Sequence, residues 1–349
     1  MAACTSVPAP AARKKLVKRS GPDRSQTLRR LSQALFLLLN IWIGVQFYRF
    51  VLYYEIGSRG LAPSRPPGVE GWLPIASLMN LKVLLATGEL PGVHPAGLFL
   101  LIAFLAMSWV ARKSFCSWLC PVGTISEYLS KLGRRLFKRS LRLPRWLDIG
   151  LRGIKYLLFG LFLYAVVSMP VEGIRQFLSG PYGLLDDVKM LNFFRTLTAT
   201  GAVVIAFLVL ASVFIENFWC RYLCPYGAFL GLAALASPLR IRRDPSSCID
   251  CDKCTKACPS QLPVAQLITI QSAECTSCMH CVASCPAAGA LAMTAPGRRR
   301  VPAWAVAVTV AFLFLGVYGY AQWTGHWRTD LPDRVYRELI PRANEFQHP

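Results

Sequence analysis

The chain has 349 residues, 54% of them hydrophobic, and it combines a mean hydropathy of +0.40 with a formal net charge of +21. Soluble globular domains rarely join so much apolar content to so strong a charge bias, so the composition argues against an ordinary soluble domain. Two classes remain open: a nucleic-acid-binding protein, and a polytopic membrane protein whose basic loops lie on one side of the bilayer.

Five apolar runs along the chain favour the membrane class, because a helix needs about 20 residues to cross a hydrocarbon core about 30 Å thick. A buried core helix could explain any single run, but not five in succession. We therefore predict an α-helical polytopic membrane protein with about five transmembrane helices, at roughly 33–53, 96–113, 153–172, 199–219 and 302–323.

The basic residues between these runs are distributed unevenly. Segments 1–32, 112–152 and 220–301 together hold 27 Lys and Arg, whereas the alternate segments 56–95, 173–198 and 324–349 hold 10. The positive-inside rule places the richer set, and with it the N-terminus, in the cytoplasm, and the C-terminus in the periplasm. The charge is then a topology signal for a bacterial inner (cytoplasmic) membrane protein. The expected partners are the lipid bilayer and redox proteins, and no nucleic acid.

Two short cysteine motifs follow the second and fourth runs. FCSWLCPVG spans 115–123 and WCRYLCPYG spans 219–227, so Cys116 and Cys120 are matched by Cys220 and Cys224. Residues four apart lie on one side of a helix, and the prolines at 121 and 225 predict that the helix bends or breaks there.

The recurrence of this pattern predicts a two-fold internal repeat within a four-helix membrane domain at 33–240, with motifs at 116–121 and 220–225. If the halves meet, all four thiols could form one membrane-face redox or metal site. Packing of small cysteines between helices is the plainer alternative. The spacing does not choose among a third iron–sulfur cluster, a copper or other soft-metal site, and a thiol–disulfide couple.

Tandem cysteine runs dominate the next segment, CIDCDKCTKAC at 248–258 and CTSCMHCVASC at 275–285, each followed by proline. Both fit C-x2-C-x2-C-x3-C-P, the run that ligates [4Fe–4S] clusters in two-cluster bacterial ferredoxins. Zinc sites use more widely separated pairs, and disulfides need an oxidising compartment. We therefore predict an inserted, cytoplasmic α+β ferredoxin-like domain at 241–297 that holds two [4Fe–4S] clusters.

The fourth cysteine of each such run ligates the other cluster. The first predicted ligand set, called here the first ferredoxin set, is Cys248, Cys251, Cys254 and Cys285. The second ferredoxin set is Cys275, Cys278, Cys281 and Cys258. The remaining divisions of the chain are a basic cytoplasmic arm at 1–32, a fifth transmembrane helix within 298–323 and a short periplasmic tail at 324–349.

Paired C-x3-C-P elements followed by tandem ferredoxin runs resemble the membrane-bound polyferredoxins of the NapH/NosR/CcoG type, over roughly residues 30–290. The resemblance implies electron transfer in several settings. Members similar to the nitrate-reductase subunit pass electrons from quinol toward periplasmic reductases, members similar to the oxidase-assembly protein handle copper, and NosR-like members serve nitrous-oxide reduction. The fifth span and short tail depart from these members, so we expect a stand-alone electron-transfer protein of the same broad family.

Our hypothesis is electron transfer between cytoplasmic-face [4Fe–4S] clusters and a membrane quinone/quinol pool or a partner redox protein. The alternatives are copper or other metal reduction or delivery through the C-x3-C pairs, and a redox-sensing regulator. Whether the chain is part of a quinol dehydrogenase stays open, and no catalytic residue is assigned. Quinone chemistry moves protons, and the acid–base candidates near the outer face are His94, Glu172, Asp186 and Asp187.

Overall fold

The protein is described here by a computed structural model that covers residues 17–19, 23–58, 60–138 and 141–347. Most of the predicted arm at 1–32 lies outside these residues, and so does Cys4. Within the described part the chain is mostly helical, with one small sheet.

The helices are α1 (Ser25–Glu55), α2 (Pro74–Thr87), α3 (Pro95–Ala111), α4 (Ser114–Trp118), α5 (Pro121–Phe137), α6 (Arg145–Ser168), α7 (Val171–Ser179), α8 (Pro181–Leu184), α9 (Asp186–Arg195), α10 (Ala199–Phe214), α11 (Pro225–Ala233), α12 (Lys253–Lys256), α13 (His280–Ala283), α14 (Ala303–Trp323) and α15 (Asp333–Leu339). The strands are β1 (Arg240–Arg243) and β2 (Leu291–Thr294). A one-turn π-helical stretch spans Trp219–Leu223, and a 3₁₀ turn spans Pro67–Trp72.

Three helices, α1, α6 and α14, are long and apolar enough to cross a membrane, among the residues described. A fourth candidate is the pair α9 and α10, which is bent by 83° at Thr196–Thr198. The first, third and fifth predicted runs thus form candidate membrane helices, while the count of five spans stays a prediction. The second run forms α3, whose 17 residues reach only about 25 Å at 1.5 Å per residue.

Helix α3 lies at the centre of the molecule. Leu98, Ala103 and Met107 are almost fully buried, and α3 packs against α2, α11, α14 and the Pro67–Trp72 turn. A helix that is apolar on all sides can be stable where protein surrounds it, so its composition does not require lipid contact. Apolar composition alone cannot distinguish this arrangement from a lipid-facing span.

Helix α1 begins at Ser25, eight residues before the apolar run predicted from the sequence. Its first three turns carry the buried polar residues Arg29 and Gln33, which bond to α4 and α5. The predicted arm at 1–32 therefore ends in a helical segment that is fixed to the protein interior.

The segment predicted as ferredoxin-like contains loops, two short helices and one antiparallel sheet. Strand β1 pairs with β2, with Ile241 opposite Met293, and these two side chains are buried. They belong to the same apolar core as Phe104 and Trp118 of the helical part. The segment thus shares a core with the helices that precede it, rather than forming a separate folding unit joined by a linker.

At the opposite end of the molecule, buried charged groups join segments that are distant in sequence. Arg65 lies 2.7 Å from a carboxylate oxygen of Glu70 and 2.6 Å from one of Asp187. His94 lies 3.0 Å from Asp186 and 3.6 Å from Glu70. Burial would lower the pKa of His94, but these two carboxylates raise it well above its usual value. We call this group the outer ion network.

The predicted tail also takes part in this end of the fold. Thr329 donates a hydrogen bond of 2.8 Å to Glu70, and the hydroxyl of Tyr54 in α1 donates one of 2.6 Å to Asp333 of α15. The described part of 324–349 therefore packs against α1 and the outer ion network.

We expect Arg65→Met to destabilise the protein by about 3–5 kcal/mol, since buried Asp187 loses its cation and buried Glu70 keeps only His94. The matched control is Arg195→Met, because Arg195 and Glu55 form a partly exposed pair worth about 1 kcal/mol or less. Thermal unfolding in detergent compares the two variants. Equal loss of stability in both would contradict a structural role for the network.

Candidate functional site

The first C-x3-C-P element is divided between two helices. Cys116 lies in α4, and Cys120 is the N-cap residue of α5, which starts at Pro121. Proline is favoured at this first helical position, where its missing N–H costs nothing. The predicted helix break is therefore present, and the two cysteines do not share one continuous helix.

The second element repeats this construction. Cys220 lies in the π-helical stretch Trp219–Leu223, and Cys224 is the N-cap residue of α11, which starts at Pro225. The backbone N–H of Gly227 donates to Cys224 Sγ at 3.3 Å. An N-terminal helix position lowers the cost of a thiolate, because free N–H groups point toward it.

The glycine of each element lies against its first cysteine. A Cβ built on Gly123 would lie 2.4 Å from the Cys116 carbonyl oxygen, and one on Gly227 would lie 3.6 Å from the Cys220 carbonyl oxygen. In the first element this leaves room for glycine only. The shared C-P-x-G pattern thus encodes a helix start that turns back onto the preceding cysteine.

The structure brings the two elements together, although they are a hundred residues apart in sequence. Burial raises the pKa of Cys120 to about 12, and the neighbouring Cys116 and Cys224 add to the rise. Burial also raises the pKa of Cys220, again with contributions from cysteines of both elements. All four line one cavity. We call Cys116, Cys120, Cys220 and Cys224 the four-thiol set.

The two ferredoxin runs share an unusual backbone. Asp250 and Asp252 in the first run have φ of 54°, and their equivalents Ser277 and Met279 in the second have φ of 54° and 57°. Residues other than glycine adopt this left-handed region at a cost, so its recurrence at matching positions indicates a constrained loop. The left-handed residues turn the backbone at the same two positions of each C-x2-C-x2-C stretch.

The fourth cysteine of each run lies beside the other run. Burial raises the pKa of Cys285, and the next contributions from thiols come from Cys251 and Cys248. Burial likewise raises the pKa of Cys258 to about 12, with Cys278 and Cys275 adding to it.

A small cavity of about 20 Å³ is lined by Cys258, Cys275, Cys278 and Cys281, all of the second ferredoxin set. The two sets differ in exposure. Cys251 of the first set is exposed, whereas Cys258, Cys275 and Cys281 of the second are buried.

The second ferredoxin run docks directly on the first C-x3-C-P element. Trp118 donates its indole N–H to the Ser277 carbonyl at 3.2 Å, and the Ser117 hydroxyl donates to the Thr276 carbonyl. Trp118 is completely buried. Residues between Cys116 and Cys120 therefore contact residues between Cys275 and Cys278, with no intervening element.

A buried ion pair supports this junction. Arg29 of α1 forms two hydrogen bonds to Glu127 of α5, of 2.6 and 2.7 Å, and its guanidinium lies 2.9 Å from His280 Nε2. Gln26 donates to the Cys278 carbonyl at 2.9 Å. Helix α1 is thereby tied both to α5 and to the second ferredoxin run.

A cavity of about 1330 Å³ extends from this junction through the helical part. The four-thiol set, Lys113 and Cys278 line one end, and Arg65 and Arg328 line the other. Its walls are mainly apolar and aromatic, and they include Leu39, Trp42, Leu101, Phe104, Phe159, Phe162 and Phe314. Ligand pockets typically measure about 300–1,000 Å³, so this one could accommodate more than one group.

Several functional residues have no motif that would identify them in the sequence. Lys113, Lys155 and Glu274 surround the four-thiol set, and Lys155 bonds to Glu274 at 2.6 Å. The one sequence signal for Lys155 is its position as a charged residue within the apolar run 153–172. Of the acid–base candidates, His94, Asp186 and Asp187 meet in the outer ion network, and Glu172 does not.

Among the described residues, no three His, Cys, Asp or Glu side chains are grouped so that they could hold a single metal ion. The geometry thus adds no support to a single copper ion at the four-thiol set.

Comparison with protein families gives two matches. A 4Fe–4S binding domain model matches twice, at residues 93–140 and 197–243, each including one C-x3-C-P element. A 4Fe–4S dicluster domain model matches residues 240–286. The predicted two-fold internal repeat stays a prediction.

Among curated proteins, the chain is 48% identical to the putative electron transport protein YccM of Escherichia coli K12 over 328 residues, covering 92% of each chain. It is 26% identical to the ferredoxin-type protein NapH of the same organism, over 66% of this chain and 74% of that protein. It is 33% identical to NirI of Paracoccus denitrificans over 55% of this chain, but only 28% of NirI is covered. No solved structure matches.

We expect Gly123→Ala to destabilise the protein by about 1–3 kcal/mol, because the added methyl group must displace the Cys116 carbonyl. Gly150→Ala in α6 is the control, since nothing lies within 4 Å of a Cβ there. Denaturation in detergent measures both. If Gly123→Ala is as stable as Gly150→Ala, the close approach does not restrict this position to glycine.

Proposed function

This chain belongs to the family of membrane-associated, YccM-like polyferredoxins of the NapH/NosR type, and we propose that it moves electrons between cytoplasmic-face [4Fe–4S] clusters and a membrane quinone/quinol pool. Electron transport with 4Fe–4S domains is what the family establishes. The quinone partner is our proposal. The observation that carries it is one apolar cavity bordered at the same end by the four-thiol set and by Cys278.

The two ferredoxin sets would each hold one [4Fe–4S] cluster, with Cys285 and Cys258 exchanged between the runs. The matching left-handed turns of the two loops and the positions of the two exchanged thiols fit this assignment. The clusters, when bound, supply one-electron transfer. The protein's own contribution is to hold the sets at different depths, since the first is partly exposed and the second is buried.

The four-thiol set would hold a third iron–sulfur centre. Four converging thiols, N–H groups directed at Cys120 and Cys224, and a 4Fe–4S domain match over each element support this proposal. The set borders the second ferredoxin set on one side and the cavity on the other. The proposed order of electron transfer is therefore the first ferredoxin set, the second ferredoxin set and the four-thiol set. The first set is partly exposed and suits a protein partner, and the four-thiol set faces the apolar cavity.

A quinone is the ligand class that fits this chamber. Its head group needs polar partners, and its isoprenoid chain needs an apolar passage that opens to lipid. Lys113 supplies a donor at the thiol end, and Phe159, Phe162 and Leu39 supply apolar walls on helices that could cross the membrane. The volume of about 1330 Å³ would leave space for a ring beside a cluster.

We place the ferredoxin runs and the four-thiol set on the cytoplasmic side of a bacterial inner membrane. The support is the distribution of Lys and Arg, because the segments that contain these cysteines are the basic ones. The outer ion network and the described tail would then face the periplasm.

Quinol should change the oxidation state of the clusters in anaerobically purified protein, followed by visible absorbance and EPR. We expect Leu39→Trp to slow this response roughly tenfold, equivalent to about 1.4 kcal/mol, because the larger side chain projects into the cavity. Leu35→Trp, on the same helix and outside the cavity lining, is the control and should leave the rate unchanged. Absence of any response to quinols or quinones would overturn the proposal.

Changing all four cysteines of the four-thiol set to serine should remove one iron–sulfur EPR signal and leave two ferredoxin-type signals in place. Iron, sulfide and copper are quantified in the same samples. Copper in the wild type that is lost in the variant would favour metal handling instead. Identical spectra and identical metal content in wild type and variant would mean that the thiols hold no centre.

A further inference from the structure

Lys113 occupies an unfavourable position for a lysine unless an anion lies beside it. It is 3% exposed, and it forms no salt bridge within the part of the chain described by the structure. Transfer of an unpaired ammonium into a protein interior is costly, so a buried lysine needs an opposite charge or loses its proton. The cavity that Lys113 lines is largely apolar, and it offers few other partners.

The direction of the Lys113 side chain is set by a strained turn at the end of α3. Arg112, which precedes it, has φ of 57° and ψ of −164°, a region used almost only by glycine. Its backbone N–H is held by the Ser237 hydroxyl, and its guanidinium donates to the Ser272 carbonyl at 2.7 Å. These bonds compensate for the strain, and Lys113, the next residue, lines the cavity.

The ammonium lies beside the four-thiol set. A Cβ built on Gly227 would lie 3.4 Å from Lys113 Nζ and 3.5 Å from Cys224 Sγ, so the two groups lie against the same face of one glycine. The equivalent residue of the second element is Asn217, which carries no charge. The two C-x3-C-P elements thus supply the same thiols but only one lysine.

Nearby carboxylates do not balance the surrounding cations. Glu274 bonds to Lys155 at 2.6 Å and accepts from the Tyr156 hydroxyl, and Lys113 acts on this carboxylate by its charge without forming a salt bridge to it. Asp148 is likewise shared, between Arg152 and Arg221. Glu274 and Asp148 thus face four cations, Lys113, Lys155, Arg152 and Arg221, and this part of the environment of the four thiols carries a surplus of positive charge.

From this surplus we propose that Lys113 is the counter-cation of an anionic, thiolate-ligated iron–sulfur centre at the four-thiol set, and that it raises the reduction potential of that centre. The proposal rests on the third centre proposed above. A cluster held by four thiolates is negatively charged, and it becomes more negative when it accepts an electron. A fixed ammonium therefore stabilises the reduced form more than the oxidised form. A disulfide, which is neutral, would leave Lys113 unbalanced.

The test is a redox titration of purified holoprotein, followed by EPR, on Lys113→Met and Lys113→Arg. Lys113→Met should favour the oxidised form of the third centre at least tenfold, a shift of about 59 mV to more negative potential for one electron. Lys113→Arg, which keeps the charge, should stay close to wild type. The control is Lys138→Met, at an exposed position at the end of α5.

Further outcomes of the same titration also decide between the alternatives. If Lys113→Met fails to retain the centre while Lys113→Arg retains it, charge is the requirement, and the proposal is supported. If both variants lose the centre, or if Lys113→Met keeps the wild-type potential, the proposal fails while the third centre itself stands. If the wild type shows only two ferredoxin-type centres, the third centre is refuted, and the role of Lys113 with it.

Discussion

The contact between Trp118 and the second ferredoxin run is the interaction on which the rest of the arrangement depends. Trp118 is fully buried, and its indole N–H bonds to the Ser277 carbonyl, within the loop that carries Cys275 and Cys278. Because Trp118 lies between Cys116 and Cys120, this one side chain fixes how far the four-thiol set lies from the second ferredoxin set. Electron transfer depends steeply on such distances, so a rigid junction is more useful here than a flexible linker.

The same junction explains why the ferredoxin segment does not form an independent core. Two short strands and two single-turn helices bury too little apolar surface to be stable alone. Ile241 and Met293 instead join the cluster that includes Phe104 of α3. Helix α3 is thus shared by the ferredoxin segment, the four-thiol set and α14, which accounts for its burial on all sides. Because the ferredoxin segment, the four-thiol set and α14 all pack on α3, we expect a shift of one of them to affect the others.

Sequence patterns predicted the cofactor class and the membrane character well, because both depend on local periodicity and spacing. The tandem C-x2-C-x2-C-x3-C-P runs and the apolar stretches of α1 and α14 are signals of this kind. The role of α3 could not be read in the same way, since lipid-facing and protein-enclosed apolar helices have the same composition. Lys113, Arg29 and Glu274 were missed for a related reason: a single charged residue acquires its meaning only from partners that are distant in sequence.

The two C-x3-C-P elements are alike in how they hold their thiols and differ in the cations beside those thiols. Both elements use proline to start a helix and glycine to turn it back onto a cysteine. The first element contacts the ferredoxin run through Trp118 and places Lys113 in the cavity, whereas the second places Arg221 there, paired with Asp148. Two identical elements could hold an iron–sulfur centre, but they would give electrons no preferred side from which to reach it. The asymmetric residues supply that difference, since the first element positions both the ferredoxin run and Lys113.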